Sequence, residues 1–114
     1  MRYNVVKNAN EIIENSSILI KNPKNYKNKW KDLFGNNNPI CLELGMGRGS
    51  FIIEMAKLHP NINYIGLELD KNQTAAAINN IGSKNLNNLK LICADASNII
   101  NILYQKFTLN TYDF

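Results

Sequence analysis

From Pro39 onward the chain alternates between short, unbroken apolar runs and stretches whose apolar residues recur every three to four positions. Ile40 to Leu44 is an apolar run ending at glycines and predicts a buried strand. Ser50 to His59 has helical periodicity, with Phe51, Met55 and Leu58 on one face, and Pro60 stops it. Asn63 to Leu67 predicts a second strand. Asp70 opens a second helix, with Gln73 three positions on as a capping-box-like partner and Gly82 at its close. Leu89 to Cys93 predicts a third strand, and Ala96 to about Lys106 a third helix with Ile99, Ile100 and Leu103 at helical spacing. Three strand–helix alternations imply right-handed crossovers, hence an α/β, Rossmann-like parallel sheet with flanking helices. In such sheets ligands bind beyond the carboxyl ends of the strands.

Composition adds limits. A chain of 114 residues with 45% apolar and 19% charged residues fits one small soluble domain. No run of about 18 apolar residues suggests a membrane span. Glu11, Glu14 and the polar Asn15 to Ser17 interrupt any signal-peptide core, so a cytoplasmic location is expected. Cys41 and Cys93 each sit in a predicted strand and read as small buried thiols. With one strand between them their backbones would lie about 9 to 10 Å apart, beyond disulfide reach.

The net charge of +4 is unevenly placed. Residues 1–38 hold seven basic side chains against three acidic ones, whereas residues 39–114 hold six of each. The chain thus divides into a basic N-terminal arm, 1–38, and a neutral domain, 39–114. Lysines 21, 24, 27, 29 and 31 with Tyr3, Tyr26 and Trp30 interleaved resemble a footprint for nucleic-acid backbone, a pattern that a solvated lead-in would share.

The candidate chemistry lies at the strand ends. Glu43 closes the first strand and precedes Gly45, Gly47 and Gly49, a turn that lets a ligand approach the backbone. The spacing is G-x-G-x-G, looser than a dinucleotide fingerprint, and no P-loop motif occurs. Glu68 ends the second strand, 23 residues after Gly45, where a carboxylate can accept bonds from two ribose hydroxyls. Asp70 has a sufficient role as helix cap. Asp95 follows the third strand and could accept from an adenine amino group or cap the next helix. Three acids converging on one crevice would repel pyrophosphate and favour a cationic ligand such as S-adenosylmethionine over a nicotinamide dinucleotide.

These residues resemble the bacterial tRNA (guanine-N7)-methyltransferases. The resemblance runs through Pro39-Ile40-Cys41-Leu42-Glu43-Leu44-Gly45-Met46-Gly47-Arg48-Gly49-Ser50-Phe51, then Ala56, Pro60, Asn63 to Glu68 and Asn85 to Leu89. Asn22-Pro23, Lys29-Trp30 and Leu33-Phe34-Gly35 extend it upstream. It implies methylation of guanine N7 in the tRNA variable loop by S-adenosylmethionine, on a class I methyltransferase fold whose first three strands stand in the order 3-2-1. By the same resemblance Glu43, Glu68 and Asp95, with the turn of Gly45, Gly47 and Gly49, hold the cofactor, and no metal is required. Family members continue with a fourth strand and an Asp-Pro-Trp-Pro segment carrying catalytic and tRNA contacts. Here the chain stops at Tyr112-Asp113-Phe114, so the catalytic residues are expected beyond Phe114 and the isolated chain is expected to be inactive on tRNA. A non-catalytic RNA-binding fragment and another class I methyltransferase are the alternative readings. Guanine N7 carries a lone pair and no proton, so the reaction needs no general base. His59, the one histidine, is assigned to its own helix end. The pattern sets no oligomeric state.

Overall fold

The computed structural model describes residues 5–97. Three parallel strands, β1 (Ile40–Leu44), β2 (Asn63–Glu68) and β3 (Leu89–Cys93), form a sheet in the order β1-β2-β3. Helices α3 (Ser50–Leu58) and α4 (Lys71–Ile81) are the crossovers. Upstream lie α1 (Ala9–Asn15), a 3-10 turn (Pro23–Tyr26) and α2 (Trp30–Phe34). The α/β parallel arrangement expected from the alternation is present. Residues 96 and 97 begin a further helical turn. The rest of the helix expected to about Lys106, with Ile99, Ile100 and Leu103, lies outside the described residues, as do Tyr3 and the chain's last segment.

Alternation along the strands divides the core in two. Tyr64, Leu89 and Leu91 face Ile52, Ile53 and Ala56 of α3 and Ala77 and Ile81 of α4. Leu42, Ile65, Leu67 and Ile92 point the other way, onto Ile20 and Trp30. The basic lead-in therefore supplies the second layer. Ile20 N–H donates to Leu91 O at 2.8 Å and Leu91 N–H to Ile18 O at 3.0 Å, so residues 18–20 extend the sheet beyond β3. Trp30 is 2% exposed and packs against Tyr26, ring centroids 6.0 Å apart. This corrects the interleaved-aromatic reading, because a tryptophan buried under the sheet cannot stack on a base. Lysines 24, 27, 29 and 31 do remain on the surface.

Helix α3 is rotated from the expected orientation. Ile52, Ile53 and Ala56 are its buried residues; of the expected stripe Met55 packs against the same core, partly buried, whereas Phe51 is 39% and Leu58 64% exposed. At 100° per residue the two stripes lie about 140° apart around the axis. Both are apolar, so periodicity could not choose between them. At the helix entrance Gly49 lies against Ala77 of α4, a close approach that a side chain would obstruct.

The ends of the helices are tied as their residue types suggest. Asp70 Oδ1 accepts from Asn72 N–H at 2.7 Å and Gln73 N–H at 3.1 Å, and Gly82 ends α4 at positive φ. The reciprocal bond of a capping box is absent, because Asp70 N–H donates to Glu68 Oε2 instead. Asp70→Ala should cost about 1 kcal/mol, read as a fall in Tm of about 4–8 °C, with Asp70→Asn retaining most of it. Equal melting of all three proteins would contradict the cap. His59 is the C-cap of α3, its N–H donating to Met55 O at 2.9 Å. Asn88 ties the same turn to β3, its amide donating to the carbonyls of Ala56, His59 and Ile62 at 2.9–3.0 Å. Cys41 and Cys93 are half-buried thiols with β2 between them.

Candidate functional site

The turn after β1 is bound to the end of β2. Gly45 and Met46 N–H both donate to Leu67 O, at 2.8 and 3.0 Å, and Gly47 N–H donates to Glu68 Oε1 at 2.8 Å. Three of the turn's amides therefore already have protein acceptors and are not held open as a phosphate cradle. That is the structural counterpart of the argument from acidic charge against a pyrophosphate ligand.

The three glycines do two different jobs. All have positive φ, 71°, 60° and 80° in order. A Cβ on Gly45 or Gly47 would meet nothing within 4 Å, so bare backbone borders open space there. A Cβ on Gly49 would come within 3.1 Å of Ala77 Cβ and 3.3 Å of Ile53 Cδ1, so this glycine serves the packing of α3 on α4. Sequence reasoning gave all three to the ligand. It also passed over Met46, which is 6% exposed and lies over Gly66, where a Cβ would fall 2.5 Å from its sulfur. An apolar residue among the glycines was the available signal.

Glu43 and Glu68 share one face of the sheet, and Asp95 lies just past the end of the neighbouring β3. Glu43 stands opposite Gly66 and Glu68 opposite Cys93, so each acid lies two residues further along its strand than its predecessor's partner, and Asp95 continues the pattern two residues past Cys93. Two residues of rise and one strand spacing place Glu43 and Glu68 about 8 Å apart at the backbone. Such a diagonal suits an elongated ligand with several polar groups. It does not suit a metal ion, and among the described residues no group of three or more histidines, cysteines and acids could hold one.

The carboxylates differ in environment. Glu43 is half-buried, and its Oε1 is fully buried with no hydrogen-bond partner among the described residues. Burial pushes its carboxyl above the usual carboxylate range. Glu68 is held at both oxygens, by Gly47 N–H and by Asp70 N–H at 3.0 Å, and each oxygen retains acceptor capacity toward the crevice. Asp95 Oδ1 accepts from Ser97 N–H at 2.9 Å and Ser97 Oγ–H at 2.8 Å, which hold its carboxyl below the usual range. Asp95 thus does cap the turn that follows, one of the two roles expected for it, with Oδ2 making no hydrogen bond among the described residues.

Comparison with known proteins accords with this geometry. Residues 37–112 match a family described as putative methyltransferase. The chain is 41% identical over 102 residues to a tRNA (guanine-N(7)-)-methyltransferase of Streptococcus gordonii, covering 89% of this chain and 48% of that protein. It is 44% identical over 91 residues to the enzyme of the same name from Bacillus subtilis, covering 80% and 43%. The chain thus spans about half the length of the curated relatives it matches. Among solved structures, an antibiotic-related methyltransferase superposes with a TM-score of 0.54 at 25% identity, over 62% of this chain and 38% of that one. The antibiotic-resistance methyltransferase Kmr shares the fold, with a TM-score of 0.53 at 16% identity over 61% and 38%.

Proposed function

Because this chain belongs to the putative methyltransferase family, we propose that it is the cofactor-binding part of a tRNA (guanine-N7)-methyltransferase, with residues 39–114 as the cofactor domain. The observation that carries the reading is the Glu43 carboxylate, half-buried with one oxygen unsatisfied. A buried acceptor without a partner is costly unless a donor arrives, and a charged donor offsets the most. S-adenosylmethionine supplies that donor in its ammonium group, and supplies the reaction with a methyl group activated on a sulfonium sulfur.

The residues fit that cofactor. Glu43 would hold the ammonium, and Glu68, already fixed by two backbone amides, would accept from the ribose hydroxyls. Asp95, through Oδ2, would accept from the adenine amino group. Gly45 and Gly47 offer backbone with no side chain in the way. The chain's work is to bind, to orient and to exclude water, because guanine N7 already presents its lone pair and no proton has to move before it attacks. The names of the curated relatives support tRNA as substrate. Since tRNA is modified in the cytoplasm we assign the protein there, and no helix among the described residues is long and apolar enough to cross a membrane.

Calorimetric titration tests the reading. S-adenosylhomocysteine is expected to bind and NAD to give no heat, since the amides of Gly45, Met46 and Gly47 are already occupied. Binding of NAD in preference to S-adenosylhomocysteine would overturn it.

A further inference from the structure

Two grooves bordered by described residues lie away from the cofactor crevice. One, of about 630 Å³, runs between the turn after α1 and the loop from α4 to β3; the other, of about 400 Å³, follows the lead-in toward Tyr26. They share Ser16, Ser17, Leu33 and Lys90, and so form one continuous trough along the side of the sheet where residues 18–20 pair with β3. Its charged lining is entirely basic: Lys84 in the first groove, Lys21 in the second, Lys90 in both.

Helix capping explains two of these lysines. Lys84 Nζ donates to Asn80 O at 3.2 Å near the end of α4, and Lys21 Nζ donates to Glu14 O near the end of α1. Neither carbonyl neutralises the ammonium charge. Capping does not explain Lys90. It projects from β3 onto the same face as Ile92, is half-buried, and its side chain makes no hydrogen bond or ion pair with any described residue. Strand positions so placed ordinarily carry an apolar side chain, whereas Lys90 brings a positive charge with no ion-pair partner among the described residues to both grooves. The serine hydroxyls beside it add neutral donors, and no carboxylate lines the trough.

We propose that this trough binds the sugar-phosphate backbone of the RNA substrate, with one phosphate at the junction of Lys90, Ser16 and Ser17 and its neighbours along the strand toward Lys21 and Lys84. The proposal rests on the reading of the protein as a tRNA-modifying enzyme. It assigns backbone binding to residues distinct from the cofactor crevice and, apart from Lys21, from the lysines of the lead-in. Phosphate contacts of this kind position an RNA without reading its sequence.

Fluorescence anisotropy with unmodified tRNA, repeated across salt concentrations, tests it on the full chain. Lys90→Gln should weaken binding severalfold and flatten the dependence of log K on log salt by about 0.7–0.9. The combined Lys21→Gln, Lys84→Gln and Lys90→Gln variant should flatten it by about 2 to 3. S-adenosylhomocysteine binding should be unchanged in both, which shows that they are folded and tests the cofactor reading separately. Lys90→Met, which keeps the stem and removes the charge, should behave as Lys90→Gln does. The proposal is overturned if the wild-type chain does not bind tRNA at low salt. It is equally overturned if the triple variant keeps wild-type affinity and slope while Lys24, Lys27 and Lys29 neutralisation abolishes both.

Discussion

Replacing Gly49 with alanine is expected to destabilise the fold by about 3 kcal/mol, the sum of a left-handed backbone penalty of about 1–2 kcal/mol and an overpacking cost of about 1–3 kcal/mol. The first contribution follows from φ of 80°. The second follows from Ala77 Cβ at 3.1 Å and Ile53 Cδ1 at 3.3 Å, of which the first, fixed to the backbone of α4, cannot rotate out of the way as the end of a long side chain could. Ala77 is completely buried, so α4 itself would have to move. Gly45→Ala and Gly47→Ala carry the backbone penalty without the collision and should each cost about 1–2 kcal/mol. Urea denaturation of the three variants reads the difference directly. If Gly49→Ala costs no more than Gly47→Ala, the contact with Ala77 is not what requires glycine there.

That contrast marks where the sequence could be read and where it could not. Strands β1, β2 and β3 were legible because buried parallel strands are apolar runs with abrupt ends, and Pro60, Asp70 and Gly82 act through their own backbones. The meeting of Glu43, Glu68 and Asp95 was legible for the same reason, since parallel strands bring their carboxyl ends to one edge. What failed depends on partners distant in sequence. Phe51, Met55 and Leu58 form as good an apolar stripe as Ile52, Ile53 and Ala56, and which is buried is decided by how α3 packs on the sheet and α4. Trp30 among lysines reads as a surface aromatic until the second face of the sheet is seen to need a cover. The trough lined by Lys21, Lys84 and Lys90 joins residues up to 69 positions apart, and no local pattern joins them.

Glu43→Gln is expected to move stability and binding in opposite directions. In the protein without ligand the ionised carboxylate is half-buried, with one oxygen unsatisfied, so a neutral amide of the same shape should stabilise the fold at neutral pH by about 1 kcal/mol. That figure is the low end for a buried unpaired group, because the second oxygen is not fully buried. The pH dependence fixes the cause. Burial raises the folded-state pKa of Glu43 above its unfolded value, so its favourable contribution is fully present below the unfolded pKa and is lost as pH rises through the folded one. The advantage of the variant should therefore be largest at neutral pH and vanish toward the unfolded carboxyl's pKa of about 4.3. Binding should fall, because an amide cannot replace a charge-assisted bond to an ammonium; a loss of about 1.5–3 kcal/mol corresponds to about a ten- to hundredfold rise in Kd for S-adenosylhomocysteine. Wild-type affinity should also rise with pH as Glu43 ionises, while that of the variant stays flat. A variant that is more stable yet binds as tightly as wild type would remove Glu43 from the cofactor site and leave its burial without a functional reason.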